Sequence, residues 1–366
     1  MLDVRRLRLL RELALRGTIA AVAEALAFTP SAVSQQLSAL EREAGVPLLE
    51  RTGRRVTLTP AGQRLVPHAE AVLERLELAA AELVDARQGL AGPLRIGTFP
   101  TAARAILPAA LVALADRHPR LEPMLSEVDP AAVADALRAG ELDVALVHDY
   151  DFVPSLAEPG LATEPLCAEA MYLASLTPPE YPASVIPPDA PGAAPVGAPV
   201  GARRSTGARA GAAGPGGATG LGCAPAREGD DEPGLARWRD ATWITATPGT
   251  LCHAMTIRAC QAAGFAPRVR HQVDEFATVL ALVAAGQGVA LVPQLGLVHP
   301  PPQVTLVPMA MSRRTRIAFR SGAGRHPAVA AVAAALRAVV AEDAPHGHGG
   351  PRGALTVDGT GRSTGP

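Results

Sequence analysis

Apolar residues recur at helical spacing in a segment close to the start of the chain. Four of them share one face at about 100° per residue: Val33, Leu37, Leu40 and Ala44. Thr29 offers a hydroxyl for the N-cap, and Pro30 suits the first helical position, where its missing N–H costs nothing. Gly45 suits the position after the last turn. The pattern predicts a helix over residues 30–44 with one packed face and one exposed face.

The opposite face of this predicted helix is polar but carries no carboxylate. It presents short hydroxyls, an amide and a guanidinium, on Ser31, Ser34, Gln35, Ser38 and Arg42. Such groups form hydrogen bonds with base edges and phosphates without repelling a polyanion. We therefore expect these side chains to contact double-stranded DNA. Taken alone, the segment also fits an ordinary amphipathic surface helix.

The neighbouring segments favour DNA binding over the ordinary surface helix. A helix of small residues is predicted over 20–27, and a short connector joins it to the next helix, as in a helix-turn-helix. Residues 48–58 fit a strand, a tight turn and a second strand, with Gly53 suited to a positive φ. This hairpin carries three arginines that we expect to hold phosphates or the minor groove: Arg51, Arg54 and Arg55.

The segment from residue 32 to residue 62 closely resembles the DNA-binding region of LysR-type transcriptional regulators. The resemblance is carried by Leu40-Glu41, Gly45, Leu48-Leu49, Arg51 and Leu58-Thr59-Pro60-Ala61-Gly62. One departure is mild, since the family usually has Phe where Leu49 stands. The resemblance implies a winged helix-turn-helix over residues 1–59, self-association into a dimer or tetramer, a small-molecule effector and contact with RNA polymerase.

A long helix is predicted after the hairpin, with apolar residues at helical spacing through the segment 60–88. Pro67 is its weak point. Such a stripe has no core of its own to pack in, and the resemblance implies that a linker helix within residues 60–92 pairs two subunits. The alternative is that this helix folds back on the following domain.

From residue 94 onward, strand and helix patterns alternate, which predicts an α/β fold with a mainly parallel sheet. Strands are predicted at 94–97, 121–128, 142–147, 242–245 and 289–293. Helices are predicted at 103–118, 131–139, 251–263 and 276–285. Pro108 is a strained spot in the first of these helices.

These segments resemble the effector-binding domain of the same family, which is similar to periplasmic solute-binding proteins. The resemblance implies a domain over 93–342, with subdomain I at 93–160 and 270–342 and subdomain II at 161–269. It breaks at 178–234, a Pro/Gly/Ala-rich stretch that we expect to be a flexible insertion. The tail 343–366 is expected to be disordered for the same reason.

Five residues are candidates for contacts with the effector. Thr98, Phe99 and Thr101 follow the first strand of the effector domain, and the resemblance implies hydroxyl contacts there. Thr247 and Thr250 follow a later strand and precede a helix. Helix N-termini at such positions favour an anionic group. For Thr250, simple capping of the helix is an equally good interpretation.

The composition of the chain limits which kinds of site and location are expected. The chain has 366 residues and a formal net charge of −1, yet residues 1–60 contain nine arginines against six carboxylates. The four cysteines lack the spacing of metal ligands, so we expect no metal and no cofactor beyond an unidentified small-molecule effector. Without an apolar run of membrane-spanning length or a signal peptide, the sequence predicts a cytoplasmic protein with no membrane contact.

The sequence therefore predicts a DNA-binding transcriptional regulator modulated by a small-molecule effector, and not an enzyme. The alternative is an enzyme or solute-binding module that carries a DNA-binding arm. Against it, the sequence contains no nucleophile elbow, P-loop or dinucleotide-binding fingerprint. Gly286-Gln287-Gly288 precedes a predicted strand rather than a phosphate-binding helix.

Overall fold

The computed structural model describes residues 1–52, 55–85, 90–153, 158–176 and 234–342. Its first elements form a helical segment followed by a hairpin and a long helix. They are α1 (Val4–Arg16), α2 (Ile19–Ala25), α3 (Pro30–Ala44), β1 (Leu49–Thr52), β2 (Arg55–Leu58) and α4 (Pro60–Asp85). The predicted helix-turn-helix and hairpin are present. Sequence analysis had not predicted α1.

One apolar core joins these elements. It contains leucines of α1, Val22 of α2, the apolar face of α3, Leu48 before the hairpin and Ala69 of α4. Gly62 is needed where α4 starts, since a Cβ there would overlap the carbonyl oxygen of Leu48. The hydroxyl of Thr59 accepts from the Gly62 N–H at 3.1 Å, so it helps to cap the same helix.

The long helix α4 runs without interruption through Pro67, which sequence analysis had marked as its weak point. Three large apolar side chains on it are exposed: Val72 (38%), Leu76 (48%) and Leu83 (71%). The remainder of the expected linker, residues 86–89, lies outside the described residues.

Alternating strands and helices follow, as predicted. The first set is β3 (Gly92–Thr98), α5 (Pro100–Ala105), α6 (Leu107–Arg117), β4 (Leu121–Glu127), α7 (Pro130–Ala139) and β5 (Val144–Tyr150). The single helix expected over 103–118 is wrong, because the chain breaks at Ile106 into α5 and α6. Pro108 lies in the first turn of α6, where its missing N–H is tolerated.

The second set includes two long strands and a terminal helix that the sequence patterns did not predict. Its elements are β6 (Leu161–Leu176), β7 (Thr242–Thr245), α8 (Leu251–Ala262), β8 (Arg268–Gln272), α9 (Phe276–Ala284), β9 (Ala290–Pro293), β10 (Val304–Arg320) and α10 (Pro327–Glu342). Parallel pairs join β3 to β4 and β5, and β7 to β8. The pair β6–β9 is antiparallel, so parallel and antiparallel strand pairs both occur.

The described residues divide into two compact units. The first contains Met1–Asp149, Pro154–Cys167 and Arg314–Val339, and the second contains Tyr150–Val153 and Ala168–Arg313 with the end of α10. The chain therefore returns to the first unit at Arg314. Subdomain I was expected to resume earlier, near residue 270. The reason is that β8 and β9 pair with strands of the second unit. The expected insertion, apart from Gly234, and the expected tail lie outside the described residues.

Candidate functional site

Helix α3 presents the polar face that the sequence predicted. Val33, Leu37 and Leu40 are each no more than 1% exposed and anchor the opposite face in the core. Four candidate DNA contacts are exposed and the fifth, Ser34, is half-buried; the exposed four are Ser31, Gln35, Ser38 and Arg42. The fold therefore brings all five together on one accessible side of α3.

Hydroxyl caps fix the turn that leads into α3. The Thr18 side chain accepts from the Ala21 N–H at the start of α2, and the Thr29 side chain accepts from the Ala32 N–H, both at 3.2 Å. Ala27 lies between the helices with φ +55°, a conformation that favours glycine. The short turn is thus held in place at some cost in backbone strain.

The carboxylates of α3 are used inside the structure. Glu41 accepts hydrogen bonds from the backbone N–H groups of Leu48 and Leu49, each at 3.0 Å, and so ties α3 to the hairpin. Glu43 forms an ion pair with Arg6 of α1. Both acids of α3 therefore point to protein partners, which leaves the exposed side of α3 with donors and neutral acceptors. The sequence motif contains Glu41, but its role becomes visible only in the structure.

The hairpin has the register expected of a wing. Its strands pair antiparallel, with Leu49 opposite Leu58 and Thr52 opposite Arg55. Arg51 lies on β1 and Arg55 on β2, but the positions of their side chains and the whole of Arg54 lie outside what the structure describes. Their contacts with phosphates therefore stay a prediction.

The first group of candidate effector contacts is buried in the first unit. Thr98 ends β3, is 0% exposed, and donates its hydroxyl to the Phe99 carbonyl at 3.3 Å. The Phe99 ring packs edge-to-face against His148, with centroids 4.5 Å apart. Thr101 is also buried, on α5. These residues form a compact polar and aromatic cluster, and His148 was not among the predicted residues.

The second group lies between β7 and α8 in the second unit. The backbone N–H and the hydroxyl of Thr247 both donate to the Asp274 carboxylate at 2.8 Å. The Thr250 hydroxyl accepts from the His253 N–H at 3.2 Å, so its capping role is confirmed. Asp274 was missed because it is distant from both threonines in sequence.

A buried ion pair lies elsewhere in the second unit. Arg313 Nε donates to Glu169 at 2.7 Å, and the Leu295 N–H donates to the other carboxylate oxygen at 2.6 Å. Burial opposes the charge of Arg313, but Glu169 and Tyr150 together outweigh it and raise the pKa of the guanidinium. Burial raises the pKa of the neighbouring Tyr150 phenol well above its usual value. This cluster holds β6, β10 and the residues after β9 together.

Two cysteines lie on α8, namely Cys252 and Cys260. Burial raises the pKa of the Cys252 thiol, and it raises that of Cys260 to about 12. Both are free thiols on α8. Within the described ranges, no three His, Cys, Asp or Glu side chains are grouped as metal ligands. Over the same ranges, no helix is long and apolar enough to cross a bilayer.

Two protein-family models match the chain. One, described as a bacterial regulatory helix-turn-helix protein of the lysR family, matches residues 4–63. The other, described as the LysR substrate binding domain, matches residues 87–192 and 221–341. The matches cover the DNA-binding segment, α4 in part and the α/β units.

Two curated relatives match less than half of this chain. The chain is 41% identical over 162 residues to a probable hydrogen peroxide-inducible genes activator of Mycobacterium xenopi, covering 44% of this chain and 82% of that protein. It is 41% identical over 160 residues to the protein of that name in Streptomyces viridosporus, covering 43% of this chain. The match spans 49%, about half, of that second relative.

Among solved structures, the chain is similar to the Corynebacterium glutamicum OxyR C206 mutant. The sequences are 26% identical, and the alignment covers 94% of this chain and 93% of that one, with a TM-score of 0.48.

Proposed function

Because this chain belongs to the LysR family of bacterial regulators, we propose that it binds double-stranded DNA through α3 and controls transcription in response to a small-molecule effector. One observation carries the DNA-binding part most strongly. The exposed face of α3 offers hydroxyl, amide and guanidinium groups, while Glu41 and Glu43 on the same helix bind protein groups instead. Such a surface attracts a polyanion and can distinguish base edges.

The residues divide by the contact that their chemistry favours. Gln35 has the amide that pairs with an adenine edge, and Ser31 and Ser38 can serve either base edges or phosphates. Arg42 and the hairpin arginines Arg51, Arg54 and Arg55 supply the charge that holds the phosphate backbone. Ser34, which is half-buried, is expected to contact DNA least directly.

Self-association is part of the proposal, because a single copy of α3, the reading helix, contacts only one half-site. The exposed apolar residues Val72, Leu76 and Leu83 along α4 fit a helix that pairs with a second copy of the chain. Two copies then present their α3 helices to successive major grooves, about one helical turn apart. RNA polymerase is the further partner expected of such a regulator, and the cytoplasm is its expected location beside chromosomal DNA.

The effector contacts remain the five predicted residues, considered unit by unit. Thr247 and Thr250 are half-buried rather than buried, so they are better placed for direct contact than the first group. The Thr247 hydroxyl donates to Asp274, so it is expected to accept a hydrogen bond from the effector. Thr250 contributes through the capped start of α8, whose N–H groups favour an anion. Thr98, Phe99 and Thr101 are buried, so they are expected to shape their surroundings more than to donate hydrogen bonds to the effector.

Hydrogen peroxide is a specific alternative effector, since relatives carry that word in their names. A peroxide-responsive cysteine reacts as the thiolate. Cys252 and Cys260 both have raised pKa values, so both thiols are protonated near neutral pH. We therefore favour an effector that binds without reacting with these two thiols.

The peroxide alternative is tested by titrating the purified protein with hydrogen peroxide and following each cysteine by mass spectrometry. The expected result is slow oxidation of both α8 thiols and unchanged DNA binding. Rapid, selective oxidation of any one cysteine together with altered DNA binding would establish the alternative.

Fluorescence anisotropy against duplex DNA at several salt concentrations tests DNA binding itself. We expect log K to fall linearly with log salt, because each phosphate contact releases counterions. Salt-independent affinity, or no affinity at low salt, would refute the proposal. Turnover of candidate metabolites by the same preparation would instead support the enzyme alternative.

A further inference from the structure

An ion-pair network joins the DNA-binding segment directly to the α/β part of the same compact unit. Its centre is Arg16 in the last turn of α1. The Arg16 guanidinium donates to both carboxylate oxygens of Asp135 on α7, at 3.0 and 2.7 Å. It also donates to Glu12 on its own helix at 3.0 Å. A bidentate arginine–carboxylate pair fixes orientation as well as distance.

The ion-pair network includes a fully buried carboxylate, that of Glu12. Glu12 is 0% exposed and accepts from Arg11 at 2.6 Å in addition to Arg16. A carboxylate without solvent contact is stable only when cations and donors neutralise it, and here two arginines do so. Arg16 binds both the buried Glu12 and the exposed Asp135. The Arg16–Asp135 pair is therefore connected to a buried carboxylate and is not an isolated surface pair.

Helix α7 contributes a second set of contacts. Its Arg138 side chain is 7% exposed and donates to Glu158 at 2.7 Å and to the Pro159 carbonyl. The Arg138 backbone carbonyl in turn accepts from Arg8 of α1 at 2.7 Å. Gly160 lies close to α1, since a Cβ added there would be only 3.3 Å from the Arg11 guanidinium. Helix α1 is therefore held by α7 and by the segment that precedes β6.

The DNA-facing residues are not part of this contact. Arg8 and Arg16 bind α7, whereas Gln35 and Ser38 stay exposed on α3. The contact can therefore persist while α3 binds DNA, and it acts on the orientation of the reading helix rather than by covering it.

We propose that the contact between α1 and α7, centred on Arg16 and Asp135, couples the DNA-binding segment to the effector-binding part within one chain. A shift of α7 then moves α1, and with it α3, by a route other than α4. The regulatory meaning rests on the proposed function, but the contact itself does not. Coupling between two sites is reciprocal, so DNA bound at α3 must also change the stability of α7.

Hydrogen–deuterium exchange of the full chain tests both parts. The variant is Asp135→Arg, which places a cation beside Arg16; the Asp135 side chain is 51% exposed, so the fold should tolerate the change. We expect exchange in α7 and in the last turn of α1 to become about fivefold faster, as for the loss of a modest local contact. Asp135→Glu, which keeps a carboxylate between Arg16 and Arg138, should leave exchange slow. Asp116→Arg is the matched control, an exposed acid on α6.

The same measurement with bound DNA separates the contact from its function. Using a duplex selected from a random library, we expect DNA to slow exchange in α7 of the unmodified chain at least twofold, and not in Asp135→Arg. Unchanged exchange in the free variant would overturn the contact. Equal slowing in both proteins, or none in the unmodified chain, would overturn the coupling. Failure to select any duplex would count against the proposed function, while exchange in the free Asp135→Arg and Asp135→Glu variants would still decide the contact.

Discussion

Glu41 links the reading helix to the wing, and replacing it should loosen the wing without touching the DNA-facing side of α3. Its carboxylate accepts from two backbone N–H groups, those of Leu48 and Leu49, each at 3.0 Å. Glu41→Ala leaves both donors without that partner, and Leu48 is only 2% exposed. The carboxylate is partly solvated, so each bond is taken at about 1 kcal/mol, below the range for buried charged acceptors.

The expected loss of about 2 kcal/mol corresponds to about a 30-fold change in a local opening equilibrium. Hydrogen exchange of the full chain reports it directly, in peptides that cover β1 and β2. We expect these amides to exchange about 30-fold faster in Glu41→Ala, while amides in the middle of α3 change less. Affinity for DNA should fall as well, since the hairpin arginines are no longer held in position.

Two further variants test the physical reason for this effect. Glu41→Gln keeps one carbonyl oxygen as acceptor and should recover part of the slow exchange. Glu50→Ala removes an exposed acid of the hairpin whose bond from Thr57 is long, at 3.4 Å, and should have little effect. Exchange in Glu41→Ala within twofold of the unmodified chain would refute the reasoning, as would an equal loss in Glu50→Ala.

Two other variants probe the proposed division of contacts with DNA, and a third probes the start of α4. Gln35→Ala should relax specificity at one base position by about 1–3 kcal/mol, measured by competition between single-base variants of a selected site; an unchanged preference would remove Gln35 from base recognition. Arg51→Ala combined with Arg54→Ala should lower the slope of log K against log salt by up to about two, whereas an equal slope would exclude phosphate contacts. Gly62→Ala should destabilise the start of α4 by about 1–3 kcal/mol, because the new methyl overlaps the Leu48 carbonyl; unchanged exchange there would show that the backbone accommodates it.

The DNA-binding segment could be predicted from the sequence because its capping residues and its apolar spacing are local features. The caps Thr29 and Gly45 and the apolar period of α3 were predicted and are confirmed. Helix α1 was missed although comparable signals were present, namely Asp3 as N-cap and Gly17 in the left-handed conformation at its end. Its many arginines obscured the apolar face that packs in the core.

Other features depend on contacts between distant residues. Buried positions alternate along the long strands β6 and β10, but some of them are polar or charged, namely Glu169, Arg313 and Thr315, so no hydrophobic alternation marks these strands in the sequence. Arg16 and Asp135 are 119 positions apart, and neither has a local pattern that indicates its partner. Thr250 shows the opposite case, since its capping role is local and was foreseen as an alternative to effector contact.

Selection of duplex DNA from a random library, carried out with the full chain and with a variant combining Gln35→Ala and Ser38→Ala, tests the central claim most directly. We expect the unmodified chain to enrich a two-part site with half-sites about one helical turn apart. The double variant should lose that preference while keeping salt-sensitive affinity for DNA in general. No enrichment by the unmodified chain, or the same site selected by both proteins, would contradict the claim that α3 reads DNA.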